Sequence, residues 1–313
     1  MTRRAKMRMA VRSFLLWFCV GAPLAAGESP IALPLLDRSA TAAALGEGGA
    51  HLSGLDALEV NPAGLAGTAR EWNATYRQMP LEISLNGMAF AQQIRSLRTT
   101  VAVSYTTLRS VNMERRGVDG QRAGTFRHEE QMMGLHVARP FHRSDKTIEV
   151  GAAIKSIQSR IASYSGTGLA MDVGVRARWK ALPLTYSASI LNFGEGPKLL
   201  SQKSELPTSC GVSLAYQALD DLTVLGGAAH FPKQDMSSAT FGVEYTLRSF
   251  FTVRGHYALG TKSDGRTGWG KMVGGFGLKL GNLKLDYAFQ PAGDEFSEAG
   301  VSGTQHATLA FAF

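Results

Sequence analysis

The sequence predicts an all-β fold, a 14-stranded antiparallel transmembrane β-barrel with a small N-terminal helical or loop plug. Three observations carry this: a leader for export, fourteen segments of period-two alternation from Trp72 onward, and connections that alternate between long and short.

The leader comes first. Arg3, Arg4, Lys6, Arg8 and Arg12 precede an apolar stretch from Phe14 to Leu24, which closes on Ala25, Ala26 and Gly27. A basic start, a short apolar centre and small residues at the end describe a secretory signal peptide over residues 1–27. The competing reading, a membrane anchor, is disfavoured because the apolar centre is about eleven residues, against roughly 20 for a spanning helix. Trp17 and Phe18 before Cys19 argue against a lipid-modified cysteine. Removing the leader lowers the formal charge from +8 to +3, with 28 basic against 25 acidic residues left. No basic stripe with interleaved aromatics remains to bind nucleic acid. Cys210 is then the single cysteine, so no intramolecular disulfide can form and backbone pairing with packing must hold the fold.

The strands follow. Val101, Val103 and Tyr105 alternate with Ala102, Ser104 and Thr106. Leu169, Met171, Val173 and Val175 alternate with Asp172, Gly174 and Arg176, and Phe241, Val243, Tyr245 and Leu247 with Gly242, Glu244 and Thr246. Leu283, Leu285, Tyr287 and Phe289 oppose Lys284 and Asp286. Such alternation marks a sheet with one apolar face. A soluble sandwich would wet its second face with ordinary polar residues. Here that face is rich in Gly, Ala, Ser and Thr, with isolated charges such as Lys155, Asp172, Arg176, Glu244, Arg254 and Asp286. That suits a crowded lumen in which charges pair across water, and in lipid a closed barrel satisfies every backbone group. Trp72, Tyr105, Trp179, Tyr216, Tyr245 and Tyr257 are candidates for an interfacial girdle.

Connection lengths test this independently. Tight turns, expected on the periplasmic side, fall at Arg95-Ser96, Arg143 to Asp145, Ala181 to Pro183, Leu219-Asp220, Arg248-Ser249 and Gly281-Asn282. Longer external connections fall at Asn112 to Gly124, Asn192 to Pro207, Phe231 to Ser237, Ala258 to Gly270 and Pro291 to Gly303, while Met79 to Leu81 is a short exception. The barrel is assigned to residues 69–313. Its last strand puts Leu309, Phe311 and Phe313 on one face, and a terminal aromatic is the signal that barrel-assembly machinery reads.

Residues 28–68 do not alternate and are expected to form the plug, with a linker as the plainer alternative. Ser39 to Leu45 can form a short helix, Gly46, Gly48 and Gly49 follow, and Pro62 can open a helical turn after Asn61. The glycines do not form a nucleotide loop, because no strand precedes them and no Lys-Ser/Thr follows.

Taken in order, Gly46-Glu47-Gly48-Gly49-Ala50, Asn61-Pro62-Ala63-Gly64-Leu65, Gly151 to Lys155, Asp172-Val173-Gly174, Asn192-Phe193-Gly194, Leu206-Pro207, Gly242 to Tyr245 and Asp286 to Phe289 resemble the PorV/PorQ family within the wider FadL-like superfamily. The resemblance implies a fourteen-stranded outer-membrane barrel whose N-terminal hatch contains the Asn-Pro-Ala element. The external loops are modest, so a large external fatty-acid site is not expected.

Histidines at 51, 128, 136, 142, 230, 256 and 306 show no metal-ligand spacing, and Gly300-Val301-Ser302-Gly303 is not a nucleophile elbow. No cofactor, metal or enzyme activity is expected. Three functions remain open. The first is a conduit for small hydrophobic molecules in which Asn61-Pro62-Ala63 shifts as ligand enters. The second, implied by the family resemblance, is a docking or shuttle component for exported proteins. The third is a structural barrel. All three place the chain in the lipid of the bacterial outer membrane.

Overall fold

The computed structural model describes residues 32–116, 121–179, 181–199, 202–262, 267–291 and 303–313. The expected leader at 1–27 lies outside them, as do parts of the connections assigned around 263–266 and 292–302.

The strands are β1 (Arg70–Met79), β2 (Ile83–Ile94), β3 (Thr99–Arg116), β4 (Arg122–His142), β5 (Lys146–Ile161), β6 (Tyr164–Trp179) and β7 (Leu184–Glu195). They continue as β8 (Lys198–Leu199), β9 (Gln202–Lys203), β10 (Ser209–Gln217), β11 (Leu222–Phe231), β12 (Met236–Leu247), β13 (Phe251–Lys262), β14 (Thr267–Leu280), β15 (Leu283–Gln290) and β16 (Thr304–Ala312). Fourteen of them close into one antiparallel barrel, and β8 with β9 forms a separate small hairpin. β1 and β16 complete the circle, with Trp72 opposite Phe311 and Thr75 opposite Thr308. Closure leaves no unpaired edge, which is the condition for β-structure in lipid.

The faces are inverted relative to a soluble protein. On β12, Thr240 is 0 % exposed while its neighbour Phe241 is 67 % exposed. Val173, Val175, Leu285 and Phe289 likewise point out, whereas Asp172, Arg176, Asp286 and His306 are buried inside. An outer belt of large apolar side chains on a closed barrel is a lipid-facing surface. Trp72, Trp179, Tyr216 and Tyr245 lie near strand ends at the barrel end that carries the tight turns, called here the turn end. Tyr105 and Tyr257 stand inside their strands, so the girdle is narrower than the sequence indicated.

The connections correct the expectation at four places. Of the described residues in 112–124 all but Gln121 are strand, because β3 and β4 run for 18 and 21 residues, accommodated by register shifts after Ser110 and Arg115. The connection expected over Ala258 to Gly270 likewise contains the end of β13, to Lys262, and the start of β14, from Thr267. β5 and β6 meet through the short turn Ala162–Ser163, a second tight connection at the loop end. The 192–207 connection folds back as the β8–β9 hairpin and buries Leu206 completely.

Residues 32–69 occupy the lumen. Ser39 caps α1 (Ala40–Leu45), its Oγ accepting from the Ala42 amide at 3.1 Å, and all six helical residues are buried. Small alanines let α1 lie against β13 to β16. The 3-10 turn Pro62–Leu65 packs on β4, β5 and β6, and the turn Gly46–Gly48 on β10 to β12. Two apolar clusters fill the β2–β6 side: Leu33, Leu85, Leu108, Met132, Ile157 and Leu206 toward the loop end, and Leu55, Leu58, Leu65 and wall alanines toward the turn end. Two further clusters pack the plug on the other side, Leu45 and Leu52 against Ala215 and Leu225, and Ala40, Ala43 and Ala44 against Val273 and Ala288; the hollow space along β7 to β14 lies beside them.

Candidate functional site

Asn61, Pro62 and Ala63 are seated directly on the barrel wall. Asn61 is extended (φ −159°, ψ 113°), as a residue before proline prefers, and caps the following turn by accepting from the Ala63 amide at 2.9 Å. Its Nδ2 donates to the carbonyls of Val175 at 3.0 Å and Ala188 at 3.1 Å. The wall permits this approach through one cross-strand pair, Gly151 opposite Gly174. A Cβ on Gly151 would collide with the Pro62 backbone, and one on Gly174 with Asn61 Oδ1.

Lys155 and Asp172 pair directly, at 2.8 Å, and not across water as the sequence reading had it. Both also hold Asn192, where β7 makes a bulge against β6 and Asn192 adopts a φ of +56°. Asp172 Oδ1 accepts from the Asn192 amide at 2.7 Å, and Lys155 donates to Asn192 Oδ1. The Asn192 Nδ2 then reaches Pro34 O at 3.1 Å and Pro207 O at 3.4 Å. One side chain so ties the wall to the plug and to the folded-back connection.

Arg176 bonds Glu149, the Leu52 carbonyl and Ser53 Oγ, with both charged partners 1 % exposed. A second ionic layer spans the β12–β15 side. Arg254 pairs with Glu244 at 2.6 Å and with Asp286 at 2.8 Å; here too the contact is direct. Lys284 pairs with Asp286 at 3.0 Å and with Asp56 of the plug at 2.8 Å, and His51 meets Glu244 at 3.2 Å. Burial raises the Asp56 carboxyl, but the Lys284 ammonium with hydrogen bonds from Lys284 and Ser39 outweighs it, holding the group below its ordinary 3.8. Burial pushes the Glu59 carboxyl up despite Arg38 Nε at 2.9 Å.

Of the three glycines proposed for the plug site, Gly46 lines a cavity of about 350 Å³ together with Glu47, whereas Gly48 and Gly49 are turned away from it. Gly46 has φ +55°, and a Cβ there would crowd His256 at 3.1 Å. Gly48 and Gly49 lie against Leu225 and Leu52. Glu47 between them accepts from Ser238 Oγ at 3.0 Å and Thr240 Oγ1 at 2.5 Å. The cavity wall includes Ser187, Ser189, Leu191, Ser213, Phe231, Met236, His256 and Lys271, with Pro34 and Asp37 from the plug. Toward the turn end a second recess of about 260 Å³ is lined by Thr246, Thr252, Arg254, Lys279 and Lys284. Along β13, His256 borders the first hollow and Arg254 the second, so the ionic layer separates them.

Phe311 and Phe313 are remote from both hollows. Their rings meet edge-on at 4.8 Å, and the Arg70 guanidinium lies 4.6 Å over Phe313 at the seam of the barrel. Arg38, Glu59, Asp56, Glu149 and Lys284 were not named as site residues from the sequence, since each is a common polar residue whose partner lies far along the chain. For Glu149 and Lys284 the one available signal was polarity on the lumenal face of an alternating strand, while Asn192 entered through the Asn192-Phe193-Gly194 motif without a role.

The fold and site define a plugged fourteen-stranded barrel. No family model matches the chain, and no curated protein matches it in sequence. Among solved structures it is similar to the toluene transporter TodX of Pseudomonas putida (10 % identity, TM-score 0.55, covering 93 % of this chain and 98 % of that one). It is also similar to the toluene transporter TbuX of Ralstonia pickettii (14 %, 0.54, 84 % and 95 %) and to a Pseudomonas aeruginosa FadL homologue (11 %, 0.52, 93 % and 98 %). At these identities the likeness is one of fold.

Proposed function

We propose that the protein is a plugged outer-membrane conduit for small molecules with apolar bodies, exported by its 1–27 leader and oriented with the turn end in the periplasm. One observation carries the reading. An open hollow at the loop end and a recess at the turn end lie along the same stretch of wall, separated by the Arg254–Glu244–Asp286–Lys284–Asp56 layer. Displacing the plug's Asp56 and Gly46–Gly49 would join them, whereas the β2–β6 side is filled with packed Leu and Ala. Fold-level likeness to hydrophobic-compound transporters supports the same reading, as analogy.

The test is entry of a panel of small aromatic compounds, with and without a polar head, into lipopolysaccharide-containing proteoliposomes. Faster entry of at least one of them than into protein-free liposomes is expected, and equal entry for every one sinks the reading. Within the superfamily we place the chain nearest PorV/PorQ by its ordered motifs; a docking role would be recognised by capture of exported proteins, and recovery of assembly factors alone would exclude it.

A further inference from the structure

Resting on the conduit reading above, we infer that the loop-end cavity takes a small molecule with an apolar body and one hydrogen-bond-donating head that is not anionic. An aryl alcohol or an arylalkyl amine fits this description; a bare hydrocarbon or a carboxylate does not. At about 350 Å³ the cavity is at the small end of ligand sites, matching one ring with a short arm rather than a long acyl chain. Leu191, Phe231 and Met236 supply an apolar wall for the ring.

The rest of the lining is the wrong surface for a hydrocarbon. Glu47 is held by two hydroxyls and no cation, and Asp37 and Lys271 form no ion pair among the described residues. A ring without a polar group would strip water from these charges and return no hydrogen bond, a cost that burial of apolar area must overcome. A hydroxyl both donates and accepts, so it can replace that water beside either sign of charge. An anionic head fares worse, because the carboxylates of Asp37, Glu47 and Glu59 outnumber Lys271 around the space. An ammonium, by contrast, finds Glu47 and Asp37 without an ion-pair partner among the described residues and donates to them as a hydroxyl does. Ser187 and Ser213, bonded to each other at 2.9 Å, add hydroxyls that can turn toward a guest.

Four probes sharing a phenylethyl body separate the cases: ethylbenzene, 2-phenylethanol, phenylacetate and phenethylamine. Protein-dependent entry into lipopolysaccharide-containing proteoliposomes and binding by native mass spectrometry are measured in parallel. 2-Phenylethanol and phenethylamine should each exceed ethylbenzene and phenylacetate by about tenfold, the worth of about one net hydrogen bond. The double variant Ser187→Ala, Ser213→Ala should narrow the alcohol's advantage over ethylbenzene. Ethylbenzene or phenylacetate matching the alcohol, or phenethylamine falling to their level, overturns the inference and leaves the conduit standing. If no probe enters yet the alcohol and the amine alone bind, the conduit falls and the ligand class stands. If nothing enters and nothing binds, both fall.

Discussion

Asn61 Nδ2 lies 3.0 Å from the Val175 carbonyl, so a plug side chain bonds the backbone of a strand 114 residues away. The Ala188 carbonyl on the next strand accepts from the same nitrogen. This clamp exists because Gly174, next to Val175, has no Cβ to hold Asn61 off.

Gly174→Val should therefore unseat the plug without preventing barrel formation. Asn61→Ala removes the same two bonds and the turn cap, a loss of about 1–3 kcal/mol in plug docking. Limited proteolysis within 32–68, alongside heat-modifiable mobility of the barrel, checks both. Unchanged protection in Gly174→Val would show that the wall glycine is not what admits Asn61.

Arg176→Leu leaves Glu149, 0 % exposed, with only Arg178 as its cation and frees the Leu52 carbonyl. Breaking a buried pair in this way costs roughly 3–5 kcal/mol. The double variant with Glu149→Leu should recover part of it, measured as denaturant midpoint in detergent. No recovery would place the cost in the plug contacts alone.

Val173→Arg puts a charge on the lipid face and should impair assembly by about 2–4 kcal/mol at the midplane. Its neighbour Asp172 faces the lumen, where it holds both Lys155 and the Asn192 bulge. Asp172→Asn should assemble, yet loosen the 192–207 connection, read as faster proteolysis there.

Asp56 gives a pH signature. Its carboxyl titrates below the ordinary 3.8, so it stabilises plug docking above that pH and loses the contribution as pH falls through the lowered value. In Lys284→Met the buried carboxyl lacks its contacting cation, its titration moves upward, and docking should instead weaken as pH rises. Protease protection of the plug between pH 3 and 8 reads the two slopes; parallel slopes would remove Lys284 from the account.

Much of the barrel was legible because its determinants are local. Side chains two residues apart share a face, so Phe241, Val243 and Tyr245 declared the lipid side and Thr240 and Glu244 the lumen. Turn lengths did the same for strand number, except that β3 runs on to Arg116 and β4 begins at Arg122. There Asn112, Glu114, Arg115, Arg116 and Arg122 interrupt the apolar alternation, and period-two contrast no longer distinguishes strand from loop.

The sequence by itself determined the fold class, the strand faces and the presence of a non-alternating segment ending in Asn61-Pro62-Ala63. Only the tertiary structure decided what that segment touches. The Gly151–Gly174 window, the Lys155–Asp172–Asn192 knot and the Lys284–Asp56 contact join residues 17 (172 − 155) to 228 positions apart. Such pairings are set by barrel register and closure, since a strand's neighbour across the lumen leaves no trace in its own periodicity.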